Sequence, residues 1–448
     1  MSIVKSKVLS GQIFRQKQIN MKRRKMKLYD YQENILNQAI EILDEHNIVY
    51  LAAAMRVGKT PIAIHLIGHT HSSPKDVSLV LTKKLAMQSI EKDIDALGDA
   101  FTGQIEVCSY HSIHKLDPKQ YKTIVLDESH TLGAYPKTNK MQKQVAVLKS
   151  ENYVLLSGTP NIESHSQLFH QFRVTGKVFL EYKNFYSWFK EYGVPKQKMV
   201  RGRMINEYTN VKKDMLLADI NKYFVTFTQE QAKFKVKSEL KPIYLSNPEV
   251  SEWIKVYAKN SVCEFKDYIV ASDGSASILS KCLQVCGGTV LDDEDKSHIL
   301  YDGFNPFTKA DWIKNTFQSH GRVCIFTNFI HERHLLMSYF EKDITANMDA
   351  FLGGDSKYFV GSLESYCEGF DLSKVEDLTI VIYSLSWKGR VLSQSIERQN
   401  NKLREKPIDV YLPLIKDTPE IELYRRVAVE KMNFNSTFFN SVKGRYML

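Results

Sequence analysis

An α/β protein with two parallel-sheet domains is the fold class this sequence predicts, on three observations. The chain has 448 residues, too many for one ordinary hydrophobic core and a suitable number for two domains. Short apolar runs recur with helix-like or looping segments between them, first as IVYLAAA, DVSLVLT, IEVCSY, KTIVLDE and YVLLSGT, then again as RVCIFTN, YFVGSL, LTIVIYS and IDVYLPLI. This is the rhythm of βα units around a parallel sheet. Finally, a GKT tripeptide stands between the first of these strands and a helix pattern, and in such sheets ligands bind at the carboxyl ends of strands.

The elements follow in order. Residues 1–27 carry nine Lys or Arg and no Asp or Glu. Such a basic arm is a solvated tail or a binder of phosphate backbones. From Leu28 the pattern becomes YDYQENILNQAIEILDEHN, with Ile35, Leu36, Ala39, Ile40 and Leu43 at helical spacing. IVYLAAA then has a strand's composition, and TPIAIHLI reads as a helix with Pro61 in its first turn, where proline is tolerated. The first domain spans 28–240 and the second 241–448. Between their strand series, an insertion at about 183–213 carries eight basic residues against two acidic ones, interleaved with Phe185, Tyr186, Trp188 and Phe189. Aromatics beside cations can stack bases and hold phosphates, or form a small core with a solvated face.

Composition narrows the class. With 43% hydrophobic and 25% charged residues, the chain reads as soluble and globular. No apolar run reaches the roughly 18 residues of a membrane span, and the start MSIVKSKVLSGQIFRQK lacks a signal peptide's apolar block. A cytoplasmic protein without membrane association is expected. The six cysteines (108, 263, 282, 286, 324, 367) contain no C-x-x-C, so reduced and mostly buried thiols are expected. The pairs His111/His114 and His331/His334 lack further metal ligands, and no structural zinc is expected. A formal charge of +10 makes a polyanion a plausible partner.

The chemistry lies at strand ends. AAAMRVGKT, residues 52–60, ends as a phosphate-binding loop but places Ala53 where the pattern G-x-x-x-x-G-K-[ST] has its first glycine. Gly58 would allow close backbone approach, Lys59 would pair with β/γ-phosphate oxygens, and Thr60 would ligate Mg²⁺. Sixty-eight residues after Lys59, TIVLDESH ends a strand in Asp127 and Glu128. The first can hold the Mg²⁺ shell and the second can orient and deprotonate an attacking water, although an acidic pair is also a common solvated strand end. YVLLSGTP adds a third tip, with the hydroxyls of Ser157 and Thr159 on the same edge.

YDYQ with Gln32, MRVGKT, DESH and SGTP resemble, in order and spacing, motifs Q, I, II and III of superfamily 2 helicases. In that family the glycine-poor opening of motif I is common, so Ala53 is a family spelling. RVCIFTNF resembles motif IV, YCEGFDL motif V, and QSIERQNNKLREKPIDVYLPLI motif VI with its following strand. LSNPEVSEW and ILSKCLQVCGG resemble the approach to the second motor domain of Swi/Snf-type DNA translocases, and the compactness suggests their bacteriophage-type branch. The likeness covers roughly residues 28–430.

The resemblance implies a P-loop NTPase motor of two RecA-like lobes, with ATP and Mg²⁺ between them and DNA crossing both. In it Gln32 recognises adenine, while Gly58, Lys59 and Thr60 hold phosphates and metal. Asp127 (with Thr60, on Mg²⁺) and Glu128 support hydrolysis. His130, Ser157 and Thr159 couple the site to DNA, and Gly369, Asp371 and Gln394 contact nucleotide from the second lobe. The family's Q-x-x-x-R-x-x-R pattern here becomes Gln394, Arg398 and then Asn401. On a helix from about Val391, either Arg398 suffices as the γ-phosphate arginine or Arg404 replaces the missing one. Arg398 is favoured because it stands one turn from Gln394. The expected function is an ATP-dependent DNA helicase or translocase, monomeric, acting on duplex, forked or branched DNA in replication, recombination or repair. An RNA helicase and a nucleic-acid clamp without turnover are the alternatives.

Overall fold

The computed structural model describes residues 27–431, apart from 99, 117–119, 161–163, 201–202, 237, 302, 367–371, 373–374, 376, 398–399 and 401–403. The basic arm lies outside the described residues except for Lys27, and so do Gly369, Asp371, Arg398 and Asn401.

In the first lobe, helix α1 (Asp30–His46) buries Ile35, Ala39, Ile42 and Leu43 on one face and stops at Asn47, a left-handed residue whose N–H closes on the Leu43 carbonyl. Strand β1 (Ile48–Ala53) is buried at every position, as a strand covered on both faces must be. There follow α2 (Lys59–Thr70), β2 (Val77–Thr82), α3 (Met87–Ala96), β3 (Gln104–Ser109), β4 (Gln120–Leu126), α4 (Lys140–Ala146), β5 (Lys149–Ser157) and α5 (Gln167–Arg173). After α6 (Phe185–Tyr192), the hairpin β6 (Lys196–Val200) and β7 (Arg203–Glu207), and α7 (Lys213–Ile220), strand β8 (Phe224–Phe227) completes the lobe. The sheet order is β3-β2-β4-β5-β1-β8, parallel throughout. The tips of β1, β5 and β4 are therefore consecutive on one edge, with β1 and β4 roughly 10 Å apart.

The second lobe repeats the plan. Strand β9 (Leu240–Leu245) leads through α8 (Pro248–Asn260), the hairpin β10 (Val262–Glu264) and β11 (Ile269–Ala271), α9 (Ser275–Cys286), and the hairpin β12 (Thr289–Leu291) and β13 (Ser297–Ile299). Next come α10 (Thr308–Thr316), β14 (Arg322–Thr327), α11 (Ile330–Phe340), β15 (Ile344–Thr345), α12 (Met348–Gly353), β16 (Tyr358–Ser362) and α13 (Leu363–Tyr366). Strand β17 (Leu378–Ile382), α14 (Gly389–Glu397), β18 (Asp409–Ile415) and α15 (Pro419–Tyr424) follow. Its order, β15-β16-β14-β17-β18-β9, is again parallel throughout. The expected class of two parallel-sheet α/β lobes is what the structure shows.

Two readings left open by the sequence are decided here. In the insertion, α6 turns Phe185, Trp188 and Phe189 into the first lobe's core, and of the four aromatics only Tyr186 is exposed, at 40%. Most of these rings are thus core, and base stacking is closed to them. The cysteines at 108, 282, 286 and 324 are buried free thiols, and Cys263 is half-buried. Cys367 lies outside the described residues. Among the described residues no helix is long and apolar enough to cross a membrane.

A buried ion pair fastens the second lobe. Lys309 on α10 donates to Glu420 on α15 at 2.6 Å and to the Tyr383 carbonyl at 2.9 Å, and the two side chains are only 1% and 3% exposed. The other Glu420 oxygen accepts from the Ile415 N–H at the end of β18. Removing one partner strands a charge in an apolar interior, whereas replacing both removes the desolvation cost as well. Lys309→Ala should therefore destabilise this lobe by about 3–5 kcal/mol in urea unfolding, and Lys309→Met with Glu420→Leu should lose much less. A single variant within about 1 kcal/mol of the parent would show that the pair is not the fastening.

Candidate active site

The site begins with the backbone after β1. Residue 58 adopts φ +87°, and a Cβ placed there would lie 2.0 Å from Nε2 of Gln32. Only glycine fits, on both counts. Gln32 in the first turn of α1 uses the space: its Nε2 donates to the Val57 carbonyl at 3.0 Å and its Oε1 accepts from the Tyr29 N–H at 2.9 Å. Lys59 opens α2, and its ammonium donates to the carbonyls of Ala53 at 2.8 Å and Ala54 at 3.1 Å. The loop is thus drawn around the lysine nitrogen at a helix N-terminus, where backbone N–H groups favour anions. Alanine at 53 breaks none of this, because Ala53 still belongs to β1.

Asp127 and Glu128 follow β4. The Asp127 N–H continues the ladder to Leu81, its carboxylate accepts from Thr82 Oγ1 at 2.6 Å, and its carbonyl accepts from the Tyr110 hydroxyl at 2.8 Å. Thr60 and Asp127 line one small cavity, with Ile64, Val80, Val125 and Leu156 among its walls. Glu128 sits in the left-handed region, φ 50°, a conformation that costs of order 1–3 kcal/mol outside glycine and that clusters at functional sites.

The neighbouring carboxylates are held unlike one another. Burial, reinforced by the charge of Glu128, pushes the Asp127 carboxyl up to about 6, against the lowering effects of Thr82 and Lys59. Burial would raise Glu128 too, but the hydrogen bond and charge of His130, with Lys59 and Lys83, hold it well below the usual carboxylate range.

The third tip joins this group. His130 Nδ1 lies 3.1 Å from a Glu128 oxygen and 3.1 Å from the Ser157 hydroxyl, which also accepts from the Thr159 N–H at 3.0 Å. Beneath them, Ser129 donates to the Tyr50 hydroxyl, Tyr50 to Gln171, and Gln171 to the Pro160 carbonyl. At Gly158 a Cβ would meet Met55 Sδ at 3.1 Å, so the SGTP turn lies directly on the phosphate-type loop. Gln32, Gly58, Lys59, Thr60, Asp127, Glu128, His130, Ser157 and Thr159 are thus one connected constellation.

Of the expected second-lobe residues, Gly369, Asp371 and Arg398 lie outside the described residues, and Gln394 and Arg404 are described. Helix α14 is described through Glu397, and Asn400 and Arg404 both lie outside any helix, so the expected helical register does not reach Arg404. Its guanidinium is instead buried in the second lobe, donating to the carbonyls of Leu372 at 3.2 Å and Val375 at 3.3 Å. Arg404 thus lies beside residues 372 and 375, and the expectation that it contacts nucleotide or serves as the γ-phosphate arginine stays an expectation. Gln394 is wholly buried on α14.

Sequence reasoning overlooked Thr82 and Tyr110, which hold Asp127, and a ladder of Tyr29, Tyr31 and Phe227 beside Gln32 with centroids 5.7 and 5.4 Å apart. The polar end of DVSLVLT was a signal for Thr82. Nothing local marks Phe227, which arrives from a strand nearly 200 residues away.

No protein-family model matches the chain. Among curated proteins it is similar to SWI/SNF-related matrix-associated actin-dependent regulator of chromatin subfamily A member 1 of Mus musculus, 22% identical over 463 aligned positions covering 90% of this chain and 42% of the relative. The Homo sapiens protein of that name is also 22% identical, with 90% and 43% covered. The chain spans less than half the length of these curated relatives. Among solved structures, the Sulfolobus solfataricus SWI2/SNF2 ATPase core in complex with dsDNA aligns over 93% of this chain and 94% of its own, at TM-score 0.42 and 17% identity. The corresponding core domain aligns over 92% and 90%, at TM-score 0.41 and 16% identity.

The acid pair predicts a pH signature. Because the folded state raises Asp127 from 3.8 to about 6, ionising it opposes folding, and the stability present at low pH is lost as pH rises through about 6. Asp127→Asn cannot ionise. Without divalent metal it should melt higher than the parent at pH 8, with the gap closing as pH falls toward about 4, the ordinary aspartate value. A gap that widens on acidification would reverse the assignment.

Proposed function

We propose that this chain is a Swi/Snf-like superfamily 2 motor, an ATP-dependent DNA translocase or helicase acting on duplex or branched DNA, with fork or junction remodelling in replication, recombination or repair as its task. The observation that carries the reading is the constellation at one sheet edge, where a lysine-bearing loop at a helix N-terminus faces an acidic pair and a hydroxyl-bearing turn. A second parallel lobe stands beyond it to close on a substrate. The likeness to a regulator of chromatin and the +10 charge support DNA as the track. We infer a monomeric, cytoplasmic protein.

The residues fit Mg²⁺ and a nucleoside triphosphate. Thr60 and Asp127 are hard oxygen donors near enough to line one small, otherwise apolar cavity, and Gly58 lets phosphate approach the backbone. Bound there, Mg²⁺ would offset negative charge on the phosphate oxygens. Lys59 would exchange its loop carbonyls for β/γ oxygens, and Gln32, fixed between Tyr29 and Val57, would present its carboxamide edge to adenine. Glu128, ionised at neutral pH, would orient the attacking water, which suffices where the transition state is loose and demands little proton transfer early. The His130–Ser157 contact then links the water-orienting group to the SGTP turn, giving the coupling residues a physical path. From the second lobe, Arg398 is assigned the γ-phosphate charge.

Lys59→Ala and Glu128→Gln should each abolish ATP turnover and leave DNA binding largely intact, since both act on phosphate and water. Near-normal turnover in either variant would sink the site. Steady-state ATPase with duplex DNA, RNA or neither, followed by unwinding of forks, four-way junctions and linear duplexes, tests the substrate; greater stimulation by RNA would redirect the proposal. Arg398→Ala should lower turnover at least roughly a hundredfold, somewhat below the range for arginine fingers elsewhere, with only a modest change in nucleotide affinity.

A further inference from the structure

The segment between the two sheets, after Phe227 and before Leu240, lies against the loop that follows β1. It opens as TQEQ, a reciprocal turn in which the Thr228 N–H donates to Gln231 Oε1 and the Gln231 N–H to Thr228 Oγ1, the logic of a capping box. The turn continues with Ala232 N–H to the Thr228 carbonyl and Phe234 N–H to the Gln229 carbonyl. It buries Ala232 against Ala53, Ala54 and Val57. One side chain of this turn, Gln229, faces both lobes. Its Nε2 donates to the Met55 carbonyl at 2.9 Å and to the Glu397 carbonyl, at the end of α14, at 3.3 Å. Its Oε1 accepts from Asn400 Nδ2 at 3.1 Å. Asn400, 1% exposed, returns through its own Oδ1 to the N–H and hydroxyl of Ser238 at 3.2 and 2.7 Å.

We propose that Gln229 and Asn400 form an inter-lobe latch that holds Glu397 of α14, and Asn400 just beyond it, against the backbone of the phosphate loop. Both are positioning residues that act through Met55 and Glu397. The inference rests on the ATP-motor reading for its kinetic consequence but not for its structural one.

The chemistry suits a part that is made and broken during a cycle. The two neutral carboxamides share one hydrogen bond, Asn400 Nδ2 to Gln229 Oε1, so the latch needs no proton and no buried charge. Their outer edges reach backbone, Gln229 Nε2 to the carbonyls of Met55 and Glu397 and Asn400 Oδ1 to the Ser238 N–H, so a displacement of either loop by about an ångström takes these bonds past hydrogen-bonding distance. Removing one carboxamide leaves buried partners unsatisfied, a penalty that corresponds to roughly five- to a hundredfold when it falls on one step.

The test compares Gln229→Met and Asn400→Leu, which keep volume and remove the hydrogen bonds, with their double variant and with the isosteric Gln229→Glu, which keeps shape but offers no donor to Met55 or Glu397. Each single variant should lower DNA-stimulated kcat roughly tenfold while KM for ATP stays within about twofold, and the double should be no worse than either single, because one latch is lost once. Gln229→Glu should match Gln229→Met. Effects that multiply in the double variant, or a Gln229→Glu enzyme at parental rate, would overturn the latch. Amide hydrogen exchange supplies a readout that needs no turnover: Asn400→Leu, a change in the second lobe, should speed exchange at residues 53–58 of the first. Unchanged exchange there overturns the latch even in an active enzyme. Parental protein that shows the exchange coupling yet hydrolyses no ATP with DNA would instead overturn the motor reading and leave the latch standing.

Discussion

Six residues of backbone, 53–58, are where most of this molecule's separate parts meet. Gln32 from α1 rests on the Val57 carbonyl, Lys59 from α2 on the carbonyls of 53 and 54, and Phe227 from β8 accepts the Ala54 N–H at 2.8 Å. The SGTP turn touches Met55, and Gln229 takes the Met55 carbonyl. Such density is possible because the loop turns its polar backbone outward on several sides, which it does by placing Arg56 at φ 66° and Gly58 at φ 87°. These are conformations a free chain rarely adopts, and they persist because so many partners over-determine them. Any ligand that binds those backbone groups must compete with, or rearrange, contacts from the rest of the first lobe, one of which, Gln229, also reaches Glu397 in the second.

The two carboxylates after β4 show how neighbouring residues acquire different chemistry. They differ by one position in the chain, yet Asp127 lines a largely apolar cavity and its carboxylate accepts from Thr82, while Glu128 lies beside His130 with Lys59 and Lys83 in its field. Environment separates their proton affinities, and like charges side by side widen the difference. The left-handed backbone at Glu128 is what allows consecutive side chains to diverge in this way. Function and local strain therefore share one cause.

Beside the loop, the contacts of Gln229 across the lobes are uncharged, while Lys235 and Glu405 form an exposed ion pair across the lobes and the sealed charges lie in the second lobe's interior. The Gln229 and Asn400 bonds are neutral, so parting them strands no charge, whereas Lys309 and Glu420, sealed at 1% and 3% exposure, leave buried charges if parted and hold the second lobe as one unit. Arg404 works similarly, tying its segment to the carbonyls of 372 and 375.

Sequence alone determined nine of the twelve strands of the two main sheets, the two-lobe α/β class and which residues stand at the first lobe's strand ends. Those signals are local: an apolar run of strand length, a GKT between strand and helix, an acidic pair where a strand stops. In a parallel sheet such ends must share one edge, so local pattern implied spatial convergence. Tertiary structure decided everything that depended on which partner arrived. The aromatics of 185–189 read equally as a stacking surface or a core until α6 was seen to bury three of the four. Arg404 had the right charge and a plausible helical spacing, but Asn400 is already outside the helix, bonded to Gln229 and Ser238, and the Arg404 guanidinium meets the carbonyls of 372 and 375. Gln229 itself carried no signal beyond a turn pattern, because its partners lie 174 and 168 residues away along the chain. Periodicity reports what a segment does with its own neighbours; contacts at that separation are chosen by packing of the whole.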